Sequence, residues 1–159
     1  MLLLSGGIDS AVTAALFVDI LVLTTFCWSI MPSRYNSPMT QTIAEQTAQS
    51  LGANYTVIPI TESCLHTSEQ LTQTPIHSYR QHRDFQLTIS PLIYENIQSR
   101  DRGSRVVAGL AAAFGGAFSC NSNKTELTVG YATFYGDICG ALALSATCGN
   151  TMFTNWDAT

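Results

Sequence analysis

The chain has 159 residues and a formal net charge of −4, with 46% hydrophobic and 11% charged residues. This length suffices for one domain with a substantial core, and the composition excludes an extended disordered region. The acidic balance, with Lys124 as the only lysine, argues against a nucleic-acid-binding surface, which usually needs clustered Lys and Arg.

Cysteine usage and hydropathy indicate a cytoplasmic protein. The five cysteines are scattered and form no CxxC pair, a pattern typical of reduced thiols rather than of a disulfide framework or a zinc site. The N-terminal MLLLSGG lacks the basic region and the apolar length of a signal peptide. No stretch has the apolar length of a membrane span, so we predict neither nucleic acid nor a membrane as a partner.

The first half of the chain predicts alternating strands and helices. A short apolar run at 2–4 and the β-branched and aromatic run at 20–30 are typical of buried strands. In chain order we predict a strand at 2–4, a helix from Ile8, a strand over 20–30, a helix capped by Thr40 and ended by Gly52, and a strand over 55–60. Such an order is typical of an α/β fold with a parallel sheet and helices on both faces.

The second half is less regular. Residues 61–91 are rich in Thr, Ser, Gln and His and predict a helix with surface loops. A long helix is expected over 93–114, ended by Gly115 and Gly116, and a fourth strand over 117–121. Residues 122–140 are punctuated by glycines and contain more polar residues than a simple connection needs.

The string SGGIDS, from Ser5 to Ser10, lies between the first strand and the first helix. A glycine-rich turn at a helix N-terminus binds anions, because free N–H groups and the positive end of the helix dipole point outward there. Asp9 would repel a bare phosphate, so its presence indicates a bridging Mg²⁺. A tight turn with Asp9 or Ser10 as helix cap is the alternative, and the P-loop pattern is absent.

SGGIDS resembles the PP-loop of the N-type ATP pyrophosphatases, which cleave ATP to AMP and pyrophosphate while they adenylate a substrate. Three further strings narrow the resemblance to the synthetase domain of the NAD⁺ synthetases, particularly the glutamine-dependent type. In chain order they are MPSRYNS at 31–37, ENIQSRDRGSRV at 95–106 and NKTELTVGYATFYGD at 123–137. The resemblance implies a partial synthetase domain of Rossmann-like ATP pyrophosphatase fold over 1–143, followed by a divergent tail over 144–159.

The resemblance also implies the reaction and its residues. In this family ATP activates the nicotinate carboxylate of deamido-NAD⁺, and ammonia then displaces AMP to leave the amide of NAD⁺. The ammonia comes from glutamine through a separate glutaminase domain, and the enzymes are homo-oligomers. The implied contacts are Ser5, Gly6, Gly7, Asp9, Ser10, Met31, Ser33 and Asn121 for ATP, Asn96, Arg100, Glu126 and Asp137 for deamido-NAD⁺, and Asp9 and Glu126 for Mg²⁺. No residue is assigned to chemical catalysis.

Several of these residues also have a purely structural interpretation. Glu126 could be a solvated acid at a helix start, and Met31 alone would be assigned to the core. Asn96 and Arg100 lie at i and i+4 of one helix face, which could be a solvated face paired with neighbouring acids. Tyr131 and Tyr135 are interpreted as packing residues rather than as residues that stack on a base.

The sequence departs from the family pattern at several points. Asn121 stands where the family has threonine, Ser122 stands where it has glycine, and the family's later phosphate-directed lysine has no counterpart here. We therefore expect negligible NAD⁺ synthesis from this chain alone. The alternatives are another PP-loop ATP pyrophosphatase, either GMP-synthetase-like or tRNA-thiolating, and an inactive nucleotide-binding remnant.

Overall fold

The computed structural model describes residues 2–21 and 26–143. Its main sheet has three parallel strands in the order β1 (Leu2–Leu3), β2 (Cys27–Ile30) and β3 (Asn54–Val57). In the register of the sheet, Leu2 lies opposite Trp28, which in turn lies opposite Tyr55. A helix connects each strand to the next, so the predicted α/β architecture is confirmed.

Six α-helices, one π-helical segment and a small hairpin accompany this sheet in the described ranges. In those ranges no helix has both the length and the apolar character needed to cross a membrane. The helical elements are α1 (Ile8–Ile20), α2 (Pro38–Ser50), α3 (Thr61–Gln73), α4 (Pro91–Arg100), the π-helical segment (Asp101–Val107), α5 (Ala108–Ala113) and α6 (Lys124–Val129), and the hairpin strands are β4 (Ile76–Ser78) and β5 (Arg83–Phe85).

Two hydrophobic clusters cover the two faces of the sheet. Successive side chains of a strand point to opposite faces, so Leu4 joins one cluster and Leu3 packs against the other. The first cluster contains Leu4, Phe26, Trp28 and Ile30 with Ala14 and Phe17 of α1 and Ala44 and Ala48 of α2. The second contains Met31 and Ile60 with Cys64 of α3, Ile97 of α4 and Val106 and Val107 of the π-helical segment. Helices therefore lie on both faces, as predicted.

Helix α2 begins earlier than the sequence analysis predicts. Its N-cap is Ser37, whose side chain accepts a hydrogen bond from Thr40 N at 3.2 Å, so the prediction of Thr40 as cap is wrong. Pro38 fits the first helical position because the N–H that it lacks would have no partner there. The prediction of Gly52 after the last turn is confirmed, with φ at +65° next to the C-cap Leu51.

The long helix of the second half starts at Pro91, with Ser90 as N-cap, and contains a π-helical turn that the periodicity did not reveal. In this turn Gly103 lies against the loop 136–139, where a Cβ atom would overlap Gly136 O and Cys139 Sγ. The helical path ends at Ala113, and Gly115 follows with φ at +70°. The π turn brings the helix close to the loop that carries Asp137.

The predicted strands are longer than the observed ones. Residue 20 still belongs to α1, and residues 22–25 lie outside the described ranges, so β2 occupies only the end of the predicted run 20–30. β3 stops at Val57, although Ile58 N and Ile60 N still donate to Ile30 O and Pro32 O. The next bond of this parallel ladder would run from residue 32 to Ile58 O, and Pro32 has no N–H to donate.

The prediction of a fourth strand over 117–121 is wrong. Only Ser119 forms a bridge there, parallel to Leu142, with Cys120 N donating to Leu142 O at 2.7 Å. The segment nevertheless lies beside β1, because Asn121 Nδ2 donates to Leu3 O at 2.7 Å. A side chain thus makes the connection to β1 that a backbone ladder would have made. The predicted tail over 144–159 lies outside the described residues.

Candidate active site

The loop Ser5–Ser10 is closed by a small network of serine hydrogen bonds. Ser10 is buried, and its hydroxyl donates to Gly7 O at 2.8 Å. The only hydroxyl proton of Ser10 is used in this bond, so Ser5 Oγ is the donor in the 3.1 Å contact between the two hydroxyls. Ser5 Oγ in turn accepts from Gly7 N at 3.3 Å, and Ser5 N donates to Ser10 Oγ at 3.2 Å. The two serines therefore fix the shape of the turn.

The N-terminus of α1 opens from this loop. Its N-cap is Gly7, which has no side chain to accept hydrogen bonds from the first-turn N–H groups. These groups and the helix dipole attract negative charge. Asp9 stands in this first turn, half-buried. The predicted tight turn is present, but neither Asp9 nor Ser10 caps the helix. Anion binding by this turn stays a prediction.

A cavity of about 500 Å³ opens next to the loop. It is lined by side chains from the loop, from α4 and the π-helical segment, and from the segment 118–139. Seven of the twelve predicted ATP and deamido-NAD⁺ residues line it, namely Ser5, Asp9, Ser10, Asn96, Asn121, Glu126 and Asp137. The tertiary structure therefore brings together most of the residues that the separate strings predicted.

Asn123 connects Asp9 to Glu126. It is fully buried and caps α6, with its Oδ1 accepting from Glu126 N at 3.0 Å, while Glu126 Oε2 accepts from Asn123 N at 3.0 Å. This reciprocal arrangement is a capping box. The other end of the amide, Nδ2, donates to Asp9 Oδ1 at 3.4 Å. Glu126 is thus a helix-start acid that also faces the shared cavity.

Asn96 and Asp137 meet at Thr133. Thr133 Oγ1 donates to Asn96 Oδ1 at 2.7 Å, and Thr133 N donates to Asp137 Oδ2 at 3.2 Å. Asn96 Nδ2 donates to Leu92 O within the helix at 3.0 Å. One threonine therefore holds two of the four predicted deamido-NAD⁺ contacts.

Arginines 100 and 102 have different surroundings. Arg100 is exposed, donates from Nε to Phe134 O at 3.2 Å, and does not line the cavity. Arg102 does line it, and its Nε donates to Met31 O at 3.1 Å. Burial lowers the pKa of Arg102 from its ordinary value. The sequence favoured Arg100, whereas the structure places Arg102 at the cavity wall.

The remaining predicted ATP residues lie around the cavity rather than in its lining. Gly6 and Gly7 shape the loop, and the buried Met31 holds Arg102 through its carbonyl. Ser33 lines a second cavity of about 720 Å³, where its N and Oγ both donate to Asn36 Oδ1. In that cavity Arg34 lies 4.9 Å and 5.4 Å from the ring centroids of Tyr35 and Tyr94.

The charge of the first cavity is negative. Four carboxylates line it, those of Asp9, Glu95, Glu126 and Asp137, against the single guanidinium of Arg102. Within the described ranges no group of three or more His, Cys, Asp and Glu side chains could hold a metal ion by itself. One or two carboxylates that share Mg²⁺ with substrate phosphates is, however, the usual arrangement for this ion. Asp9 Oδ2 and Glu126 Oε1 accept no hydrogen bond from the described residues, so the pair fits such a shared ion.

Two cysteines, Cys120 and Cys139, lie in the same lining. Burial raises the pKa of Cys139 to about 11, with smaller contributions from Cys120 and Asp137. Their thiols donate to backbone carbonyls, Cys120 to Asp137 O and Cys139 to Gly136 O. We therefore assign them to the support of the loop 136–139 rather than to nucleophilic chemistry.

Comparison with known proteins identifies the family. A family model described as NAD synthase matches residues 1–148. The chain belongs to the NAD synthase family. Among curated relatives, the glutamine-dependent NAD(+) synthetases of Synechocystis and of Xylella fastidiosa (strain Temecula1) are 38% and 36% identical to it over 143 residues. These alignments cover 90% and 88% of this chain but only 24% of each relative, so the chain spans about a quarter of their length.

Solved structures of the NAD synthase family share the fold. The glutamine-dependent NAD+ synthetase of Acinetobacter baumannii, solved in complex with ADP, matches with a TM-score of 0.82 and 30% identity. The NH3-dependent NAD synthetase of Campylobacter jejuni, solved with nitrate, matches with a TM-score of 0.80 and 25% identity. Each match covers 96% of this chain, and the chain spans 27% and 59% of those structures. The Rossmann-like fold expected from the family is therefore confirmed.

Three residues in or beside the cavity have a notable environment that the sequence analysis did not assign to the site. Asn123 and Thr133 lie within the string 123–137, but only their contacts reveal that they hold Asp9, Asn96 and Asp137. Ser99 is buried, lines the cavity, and has a hydroxyl without a hydrogen-bond partner in the described part of the chain. The N-cap pattern Asn-x-x-Glu was a signal for Asn123. No sequence signal indicated the other two.

Proposed function

We propose that this chain binds Mg-ATP and deamido-NAD⁺ in the 500 Å³ cavity and contains residues for the ATP-dependent amidation of deamido-NAD⁺ to NAD⁺. The proposed route passes through an adenylated nicotinate carboxylate and releases pyrophosphate and AMP. Ammonia is the nitrogen donor in this proposal. The observation that supports it most is that Ser5, Asp9 and Asn121 share one cavity with Asn96 and Asp137.

The loop side of the cavity is the proposed phosphate site. The first-turn N–H groups of α1 would donate to phosphate oxygens, and the hydroxyl network of Ser5 and Ser10 keeps the turn open toward them. Asp9 and Glu126 would hold Mg²⁺ together with those oxygens. Bound there, Mg²⁺ would neutralise phosphate charge and make pyrophosphate a better leaving group. The negative lining supports this arrangement, because four carboxylates would repel a polyphosphate without a cation.

The α4 side is the proposed site of the nicotinate end of deamido-NAD⁺. The Asn96 amide and the Asp137 carboxylate are both held by Thr133, so their orientation is set before a ligand arrives. Such preorganisation aligns a carboxylate for attack on the α-phosphorus without an entropic cost at the moment of reaction. Arg102, on the wall nearest to β2, is the proposed counter-charge for the dinucleotide phosphates.

Binding and product analysis test this proposal on the purified chain. Calorimetry with Mg-ATP and with deamido-NAD⁺ should show one site for each, and deamido-NAD⁺ should release pyrophosphate from ATP. With ammonium added, NAD⁺ synthesis should stay negligible beside that of a complete synthetase, because the family's phosphate-directed lysine has no counterpart in this sequence. Mg-ATP binding without any affinity for deamido-NAD⁺ would favour another PP-loop ATP pyrophosphatase. Binding of both ligands without pyrophosphate release would favour the nucleotide-binding remnant.

A further inference from the structure

The two proposed metal ligands come from distant parts of the chain and meet at one buried amide. Asp9 lies in the first turn of α1, and Glu126 lies in the first turn of α6, more than a hundred residues later. Asn123 is fully buried between them and uses both ends of its side chain. Its Oδ1 accepts from Glu126 N, and its Nδ2 donates to Asp9 Oδ1.

The surroundings of Asn123 leave the amide little freedom. Its neighbour Ser122 is also buried and donates from Oγ to Asp137 O at 3.0 Å. The backbone N–H of Asn123 is held by Glu126 Oε2 at 3.0 Å. If the amide were reversed, Nδ2 would face Glu126 N, and neither group could accept a hydrogen bond from the other. The cap therefore fixes Nδ2 as the end of the amide that faces Asp9. The helix cap therefore decides which end of the amide meets a carboxylate on a different element.

We propose that Asn123 is a positioning residue, which holds the Asp9 carboxylate toward Glu126 so that the two can share one divalent cation with the nucleotide phosphates. This inference rests on the proposed function. The 3.4 Å bond uses only Oδ1 and leaves Oδ2 of Asp9 without a hydrogen bond from the described residues. One oxygen is thus oriented by the protein while the other is available to a cation, which is how a supporting hydrogen bond usually orients a metal ligand.

Two substitutions separate this role from simple helix capping. Asn123→Ser keeps a good N-cap, since serine and asparagine are about equally effective there, but its hydroxyl is too short to reach Asp9. Asn123→Ala removes both the cap and the contact with Asp9. A role limited to capping predicts a defect in the alanine variant alone, whereas the positioning role predicts the same loss of Mg²⁺-dependent binding in both.

The first measurement is calorimetry of ATP on the full chain, with Mg²⁺ and again with EDTA. With Mg²⁺ present, both variants should bind ATP roughly 10-fold more weakly than the wild type, which is typical when the hydrogen bond that supports a metal ligand is lost. With EDTA, both variants should bind ATP as the wild type does. The melting temperature should fall further in Asn123→Ala than in Asn123→Ser, because only the alanine variant also loses the cap. Wild-type affinity of Asn123→Ser for Mg-ATP, or an equal loss with and without Mg²⁺, would overturn the proposal.

The second measurement needs no nucleotide. A double-mutant cycle of urea unfolding compares the wild type, Asp9→Ala, Asn123→Ser and the double variant. We expect the shift in urea midpoint caused by Asn123→Ser to be smaller in the Asp9→Ala background, because the contact is already lost there. Additive shifts would overturn the link between the two residues. If the wild type binds no Mg-ATP, the proposed function fails, and this cycle still decides whether Asn123 holds Asp9.

Discussion

The backbone of Gly6 lies directly against the carbonyl oxygen of Thr40, so that a Cβ atom at position 6 would overlap it. Gly6 also has φ at +81°, in the left-handed region that favours glycine. Two independent constraints therefore require glycine at the second position of the loop. The contact seats the proposed phosphate loop on the first turn of α2.

Gly6→Ala should lower the free energy of unfolding by about 2 kcal/mol or more, because a left-handed conformation and a steric overlap act together. Nucleotide affinity should fall as well, since the loop must move away from Thr40. Urea unfolding and calorimetry with Mg-ATP measure the two effects. Gly109→Ala is the matched control, since the space around Gly109 within α5 is open. It should stabilise the chain by roughly 0.5–1 kcal/mol.

Asp9→Ala should abolish Mg²⁺-dependent ATP binding and leave the fold intact. The half-buried carboxylate lies in the first turn of α1 and accepts one long hydrogen bond, from Asn123 at 3.4 Å, so its removal should cost less than about 1 kcal/mol of stability. Calorimetry with Mg-ATP checks the binding, and circular dichroism checks the fold. Asp19→Ala, an exposed change near the other end of the same helix, should bind normally. Unchanged affinity in Asp9→Ala would remove Asp9 from the metal site.

Asn96→Ala should weaken deamido-NAD⁺ binding by about 10-fold and spare ATP. The change removes one oriented amide, and a hydrogen bond of this kind contributes about 1–1.5 kcal/mol. Parallel titrations with the two ligands give the comparison. Gln70→Ala, an exposed change on α3 away from the lining of the cavity, serves as control. An equal loss of both ligands would contradict the division of the cavity into an ATP side and a dinucleotide side.

Asp101 should make the stability of the chain sensitive to acid. Its side chain is only 9% exposed, and it accepts hydrogen bonds from Arg105 at 2.5 Å and 2.7 Å and from Ser63 at 2.7 Å. Burial acts to raise the pKa of Asp101, but the hydrogen bonds from Arg105 and Ser63 outweigh burial and hold this pKa below its ordinary value.

The direction of the effect follows from proton linkage. The folded pKa of Asp101 lies below the unfolded one, so its stabilisation is present above about pH 4 and is lost as the pH falls toward the folded pKa. Asp101→Asn should therefore cost about 1–3 kcal/mol at neutral pH and less in acid. Urea unfolding at pH 7 and near pH 3 measures this difference. The control Asp84→Asn, on the exposed hairpin, should show little difference in stability loss between the two pH values.

The local features of this protein could be predicted from its amino-acid sequence alone. Apolar runs and helical spacing predicted the order of the first three strands and the helices between them. The prediction was possible because residues that are buried in a sheet or against it recur at the period of the strand or helix that carries them. SGGIDS predicted the strand–turn–helix that the structure contains, since only a few residue types allow such a turn. The strings at 31–37, 95–106 and 123–137 predicted the family.

Features that depend on contacts between residues far apart in the chain could be seen only in the tertiary structure. Arg102 rather than Arg100 lines the cavity, and periodicity of 3.6 residues could not show this, because a π turn changes which side chains face inward. The predicted strand over 117–121 reduces to one bridge, since Asn121 bonds Leu3 through its side chain. The pattern Asn-x-x-Glu could at most have indicated that Asn123 caps a helix. Only the fold brings the second end of its amide to Asp9, because that contact joins residues 114 positions apart.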